Sequence, residues 1–227
     1  MFMIKTKDPV NQSLIEIEKK IGLESLGLMN SAVWYGDPKR LVFTLSRYKF
    51  VAKMFSGKRR VAEIGCGDGF GARIVRQEVE QLTITDYDEH FINKFSEIYS
   101  DKWPIEAITH DILNKPLSKK FDAIYSLDVL EHIPQKEEST YIKNIQSSLN
   151  QNGVAIIGMP SLESQKYASP DSKEGHINCK TGRDFKEIME QYFENVFLFS
   201  MNDEVVHTGF DKMAHYIIAL CCGVKKL

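Results

Sequence analysis

The chain lacks a basic excess: 29 lysines and arginines stand against 31 aspartates and glutamates, a formal charge of −2 over 227 residues. Binding along a phosphate backbone needs a cationic face, so nucleic acid is not an expected partner. Long apolar runs are also missing. The longest, Tyr216 to Val224, falls far short of the roughly 20 residues that cross a bilayer. The N-terminal M-F-M-I-K-T-K-D-P has no signal-type apolar segment. No membrane association is expected, and the expected location is cytoplasmic. Cysteine is scarce as well. The four present have no metal-type spacing, and Cys221 and Cys222 are adjacent, which strains any bridge between them, so reduced thiols are expected. There is neither an internal repeat nor a low-complexity tract. A hydrophobic content of 43% supports one domain over 1–227, with a helical N-terminal cap over 1–57 and a core over 58–227. Oligomeric state is not legible.

What is present is glycine at alternate positions. In R-V-A-E-I-G-C-G-D-G-F-G-A, residues 60 to 72, a short apolar strand runs through Glu63 into a turn with glycine at 65, 67, 69 and 71. Such a turn tolerates positive φ and presents bare backbone, with Gly65 and Gly67 as a floor for a flat, nucleotide-like ligand. Asp86, about 20 residues later, ends a second apolar strand, L-T-I-T-D. Its spacing suits a carboxylate that accepts both hydroxyls of a ribose. A nicotinamide dinucleotide, and with it an NAD(P)-dependent oxidoreductase, is the rival reading. The frame G-x-G-x-x-G fits poorly, because from Gly65 it puts Phe70 in the third glycine's place and from Gly67 it reaches only Ala72.

The turn, as Glu63-Ile64-Gly65-Cys66-Gly67-Asp68-Gly69, resembles the acid-x-G-x-G-x-G motif of the class I S-adenosylmethionine-dependent methyltransferases. Further blocks follow in that family's order: Asp86 with Tyr87, Asp111 in T-H-D-I-L, F-D-A-I-Y-S-L-D-V-L-E-H-I at 121 to 133, and L-N-Q-N-G-V-A-I-I-G-M-P at 149 to 160. The resemblance implies S-adenosyl-L-methionine as cofactor. It places Asp111 and the amide of Ile112 at the adenine, Leu127 at the methionine side, Cys66 as a small residue beside the cofactor, and Glu63 as the group that orients the turn and the ammonium. A cofactor-binding but catalytically silent partner subunit is a third reading.

The alternation of strands and amphipathic helices predicts an α/β, Rossmann-like sheet of seven strands. It is mostly parallel, with an antiparallel last strand, helices on both faces and an N-terminal helical cap. Strands are expected near 60–64, 81–85, 105–110, 121–127, 154–159, 195–200 and 213–221, and helices near 69–79, 88–100, 135–149 and 182–192. In the cap, Asp37 and Pro38 are expected to start a helix with an apolar stripe of Leu41, Leu45, Tyr48, Ala52 and Phe55, ending at Gly57. Trp34 and Tyr35 read either as its hydrophobic anchor or as part of a lid. Arg47 and Lys49 lie off the stripe and read as solvated or, as the resemblance implies, as part of an N-terminal segment that closes the methionine end of the cofactor.

Methyl transfer to a hydroxyl needs a base that titrates near neutrality, which favours histidine. Topology selects His176 after strand five and His207 and His215 after strand six, each with a structural role as its alternative; His132 reads as packing or as a support behind the residues that meet the ligand. Asp128, His132, Asp203, Glu204 and His207 show no recognisable metal spacing, and no metal is expected. Residues 160–180 read as a long irregular segment in which Ser161, Gln165, Tyr167, Ser169 and Asn178, with nearby Asn202, line the acceptor. Lys166, Lys180 and Arg183 read as solvated or as contacts to an anionic group. The expected reaction moves a methyl group to oxygen or nitrogen of a small polar metabolite or saccharide, including a nucleotide-linked sugar.

Overall fold

The structure, a computed structural model, describes residues 5–226; the first four residues of the expected cap, where the N-terminal reading begins, and Leu227 lie outside the described residues. Helices α1 (Gln12–Ile21), α2 (Gly27–Gly36) and α3 (Pro38–Met54) precede strand β1 (Arg60–Ile64). There follow α4 (Ala72–Arg76), β2 (Gln81–Asp86), α5 (Glu89–Phe95), β3 (Glu106–Thr109), β4 (Phe121–Leu127), α6 (Glu138–Ser148) and β5 (Leu149–Pro160). The chain closes with α7 (Pro170–Gly175), α8 (Gly182–Met189), β6 (Phe193–Asn202), β7 (Val205–His207) and β8 (Tyr216–Val224).

One sheet takes the order β3-β2-β1-β4-β5-β8-β6-β7. The first five strands pair in parallel, and β8 inserts antiparallel between β5 and β6. The expected sheet is therefore present, with β7 added as a short hairpin return between β6 and β8. The last strand starts at Tyr216, because Asp211–Met213 forms a 3₁₀ turn. Strand interiors are apolar on both faces, with Val61, Ile84, Ile124 and Ile156 at or near zero exposure. Each such side chain contributes about 1.5–3 kcal/mol by burial, so the sheet carries much of the stability. Order reverses between β1 and β4, and the carboxyl ends of these strands open the crevice where ligands of such sheets bind.

Three local expectations are corrected. Asp37 holds the N-cap position of α3 without a side-chain cap bond. Trp34 and Tyr35 are 55% and 94% exposed, so they do not anchor the cap. The 160–180 segment is ordered as a 3₁₀ turn, Glu163–Tyr167, followed by α7, which Ser169 caps and Pro170 opens. It returns to the sheet through a parallel bridge between Ser161 and Lys180.

Candidate active site

At the end of β1 the chain turns through Gly65 and Gly67 with φ of +73° and +53°. A Cβ at Gly65 would strike the Val129 side chain, and one at Gly67 would come within 2.5 Å of Met29 Sδ. The turn faces a cavity of about 540 Å³ that also meets Asp86, Tyr87, Asp111 and Ile112. Asp86 ends β2 and binds the turn back: Oδ2 accepts from the Gly67 amide at 2.9 Å and Oδ1 from the Asp88 amide at 3.0 Å. Burial raises its pKa, while those amide bonds favour the charged form. Each oxygen keeps a second lone pair for a ligand. Asp111 accepts from the Leu113 amide at 2.9 Å, which fixes the carboxylate at the cavity wall.

Three residues expected at the cofactor lie behind the cavity. Glu63 is fully buried, with Oε1 accepting from Tyr48 at 2.8 Å and Oε2 from Tyr125 at 2.7 Å. It fastens α3 to the turn and is not part of the cavity lining; burial pushes its pKa to about 7, against the two tyrosine bonds. Cys66 points into the core, its thiol on the Gly67 carbonyl and its pKa raised by burial. Leu127 is also core, and Asp128 and Val129 take the wall expected of it. Asp68, which sequence reading passed over, is buried and accepts from the Met29 amide at 2.7 Å and from Asn30 Nδ2 at 3.1 Å. It thereby holds α2 over the glycine turn and brings Met29 to the cavity.

Beyond Val129 the surroundings become polar. Arg47 is not solvated: Nη1 donates to both Asp128 oxygens at 2.7 Å, and Cζ lies 3.8 Å above the Tyr216 ring. Burial opposes its charge, but Asp128 outweighs it and the pKa is raised. Asp128 has φ of +58°, unusual for a residue with a Cβ, and its amide donates to the Gly158 carbonyl at 3.0 Å. Glu131 is fully buried beside this pair, and among the described residues no other side chain or backbone group hydrogen-bonds either of its carboxylate oxygens, nor does any side chain bond the buried Arg47 Nε or Tyr216 Oη. Burial first, then Asp128, pushes the Glu131 carboxyl well above the ordinary carboxylate range.

The three expected histidine bases part company here. His207 accepts from the Gly209 amide at Nδ1, 2.9 Å, so Nε2 carries the proton and donates to Asn202 Oδ1, also 2.9 Å. With no lone pair left, it is part of the β6–β7 hairpin and no base. His215 Nδ1 accepts from the Asp203 amide at 3.3 Å, leaving an Nε2–H donor rather than a base; burial and Arg47 lower its pKa. His176 donates from Nδ1 to Gln165 Oε1 at 2.8 Å and keeps the Nε2 lone pair, with a pKa lowered by burial and by His132. Gln165 Nε2 donates to the Ser161 carbonyl, which fixes the amide orientation and thereby this tautomer. His132 does more than pack: it lines the cavity, and its ring lies 5.2 Å from that of His176.

Most of the expected acceptor lining is spent internally. Lys180 pairs with Glu138 at 2.9 Å and donates to Asn178, which itself donates to Glu138, locking the segment to α6. Ser161 Oγ donates to the Ala214 carbonyl, Asn202 to that of Met213, and Ser169 caps α7. Tyr167 is 81% exposed, Lys166 lies over its ring, and Arg183 pairs with Glu187 at the surface.

A sheet in this order, with a glycine turn at β1, an acid ending β2 and a cavity at their carboxyl edge, defines the Rossmann-like methyltransferase class. The chain belongs to the methyltransferase family, whose model, described as "Methyltransferase domain", matches residues 39–196. It is 25% identical over 169 residues to an uncharacterized methyltransferase of Alkaliphilus oremlandii, covering 70% of this chain and 73% of that one. A probable S-adenosylmethionine-dependent methyltransferase of Mycobacterium tuberculosis is 24% identical over 104 residues, 45% of this chain and 36% of its own length. Among solved structures, the N-methyltransferase NodS from Bradyrhizobium japonicum WM9 in complex with S-adenosyl-l-homocysteine shares the fold. Its TM-score is 0.63 at 16% identity, over 95% of this chain and 99% of that one. The family that the glycine turn and its successive blocks resemble is the family found.

Proposed function

We propose that this methyltransferase moves the methyl group of S-adenosylmethionine to an oxygen or nitrogen of a small polar acceptor, with saccharides and nucleotide-linked sugars as the leading class. The observation that carries this reading is the cavity itself. Its glycine floor has no room for a Cβ, its Asp86 and Asp111 carboxylates are fixed by backbone amides, and Asp128 and His132 add polar groups to a wall that also holds Val129, Ile133 and Pro134. About 540 Å³ lies within the range of small-molecule sites. Asp86 would take the ribose hydroxyls, Asp111 and the Ile112 amide the adenine edge, and the Gly65–Gly67 backbone the body of the cofactor.

When bound, the cofactor supplies a methyl group already activated by its sulfonium. The chain's own residues then have to position the acceptor and exclude water. Met29, held by Asp68, covers the turn; Asp128, fixed by Arg47, and His132 meet the acceptor. Of the histidines expected from sequence, His176 keeps an unshared lone pair at that end. Among the described residues no lysine or arginine lines the cavity, in keeping with an acceptor that is not a phosphate backbone.

The test is methyl transfer from labelled cofactor onto nucleotide-sugar, glycan, amine-metabolite, tRNA and lipid-quinone pools, with calorimetry of S-adenosylhomocysteine and NAD+ alongside. Labelled small polar products and binding of the adenosyl ligand alone are expected. Labelling confined to nucleic acid or quinone overturns the acceptor class. Binding without turnover on any pool returns the silent-subunit reading.

A further inference from the structure

We infer that Glu131, His132 and His176 form a binding site for a divalent first-row transition cation at the acceptor end of the cavity. One ligand atom from each lies within 4.8 Å of the others, and His132 Nε2 is 3.9 Å from Glu131 Oε1. Ligands on one ion at about 2.1 Å stand roughly 3.0–3.5 Å apart. The arrangement is thus open by about an ångström, within reach of a ring rotation at His132, whose side chain is 49% exposed.

Proximity alone would be weak, but the protonation pattern points the same way. His132 Nδ1 donates to the Gly175 carbonyl at 2.9 Å, and His176 Nδ1 donates to Gln165 Oε1 at 2.8 Å. Both partners can only accept, so both rings carry the proton on Nδ1 and present Nε2 lone pairs. Metal-ligating imidazoles are oriented in this way, by a carbonyl on the other nitrogen. The third member is the carboxylate of Glu131, fully buried, with neither oxygen hydrogen-bonded by any other described residue. A buried carboxylate without a partner is costly, and a cation between it and the two lone pairs satisfies all three groups together.

Two imidazoles and one carboxylate favour zinc, manganese, iron or cobalt over magnesium or calcium, which take oxygen shells. Three protein ligands leave a position open, and His132 borders the cavity. That position suits an acceptor oxygen, and in naming its occupant, though not in placing the ion, the inference rests on the proposed methyl transfer.

The experiment titrates the chelator-treated full chain with ZnCl2, MnCl2, CoCl2 and MgCl2 by calorimetry, in parallel with S-adenosylhomocysteine. One transition cation per chain is expected, with magnesium at least tenfold weaker. Glu131→Gln, His132→Gln and His176→Gln should each lower that affinity tenfold or more, and the cobalt adduct should show two paramagnetically shifted histidine ring N–H resonances. The histidine variants guard against misfolding at the buried glutamate, and retained S-adenosylhomocysteine binding certifies their fold. No cation bound, magnesium preferred, or affinity unchanged in folded His132→Gln and His176→Gln overturns the site. Cofactor binding without a cation sinks this inference alone; a cation without cofactor binding sinks the methyl-transfer reading alone.

Discussion

The two ends of the cavity are built by different rules. At the glycine end the participating groups lie in short runs, 65–69, 86–88 and 111–113, and the Asp86 and Asp111 carboxylates each accept from an amide two residues on, at Asp88 and Leu113, while Asp68 and Glu63 tie the turn to more distant elements. At the acceptor end Arg47 meets Asp128 across 81 residues, and the ring of His132 finds the Gly175 carbonyl across 43. Local chemistry can be read from spacing; pairing across the fold needs the fold. The first end is therefore a motif, and the second a consequence of where α3 and the segment after β5 come to rest.

The largest effect that sharpens this contrast is expected at Arg47. Arg47→Met leaves Asp128 facing Glu131 without its cation, and should destabilise the fold by about 3 kcal/mol, the low end for breaking a buried pair because the Asp128 side chain is 37% exposed. The double variant Arg47→Met, Asp128→Asn should recover part of that loss. Denaturant unfolding measures both, and calorimetry should show cofactor affinity within about twofold of wild type. A comparable loss of cofactor affinity would mean that the two ends are one coupled unit.

Glu63 offers the next test, because it serves the glycine end from behind. Its folded pKa of about 7 exceeds the ordinary 4.5. Below pH 4.5 both states hold the proton and no cost arises. Between 4.5 and about 7 the unfolded chain has released it while the folded chain keeps it, so stability falls as pH rises; above 7 the deficit is constant, about 3–4 kcal/mol. Unfolding series at pH 4.5, 6 and 8 should show this decline in the wild type and its absence in Glu63→Gln. Parallel pH dependences in the two proteins would place the titration elsewhere.

Asp86→Ala acts at the cofactor itself. It removes the proposed diol acceptor and the tie to the Gly67 amide, and charge-assisted bonds of this type contribute about 1.5–3 kcal/mol. S-adenosylhomocysteine affinity should fall tenfold or more, with Asp86→Asn between the two. Unchanged affinity in a folded Asp86→Ala protein would remove the ribose from this position.

What sequence made legible follows the same division. Strand periodicity, the glycine turn and strand-terminal acids are fixed within a few residues, so the mostly parallel sheet with its antiparallel last strand and Gly65, Gly67, Asp86 and Asp111 at the cavity were all within reach. Glu63, Cys66 and Leu127 occupy motif positions, yet a strand alternates faces, and the motif does not say which side chains meet a ligand. Arg47 was misjudged because a charge beside an apolar stripe looks solvated until β4 and β8 supply Asp128 and Tyr216. The 160–180 residues looked like a polar lining because their partners, Glu138 on α6 and backbone carbonyls near the start of β8, are invisible to local composition.

His207 supplies the smallest and most discriminating effect, since topology alone put it among the bases. Its ring accepts from Gly209 and donates to Asn202, both within its own hairpin, so its chemistry is consumed where it stands. His207→Ala should cost about 1 kcal/mol or less, because both bonds lie in a partly exposed edge hairpin and water replaces the lost ring. Turnover on the true acceptor should stay within about twofold of wild type, with KM and the pH profile unchanged. A hundredfold loss of turnover at normal stability would show that the hairpin opens during the reaction and frees a base, moving β7 from the scaffold to the acceptor end.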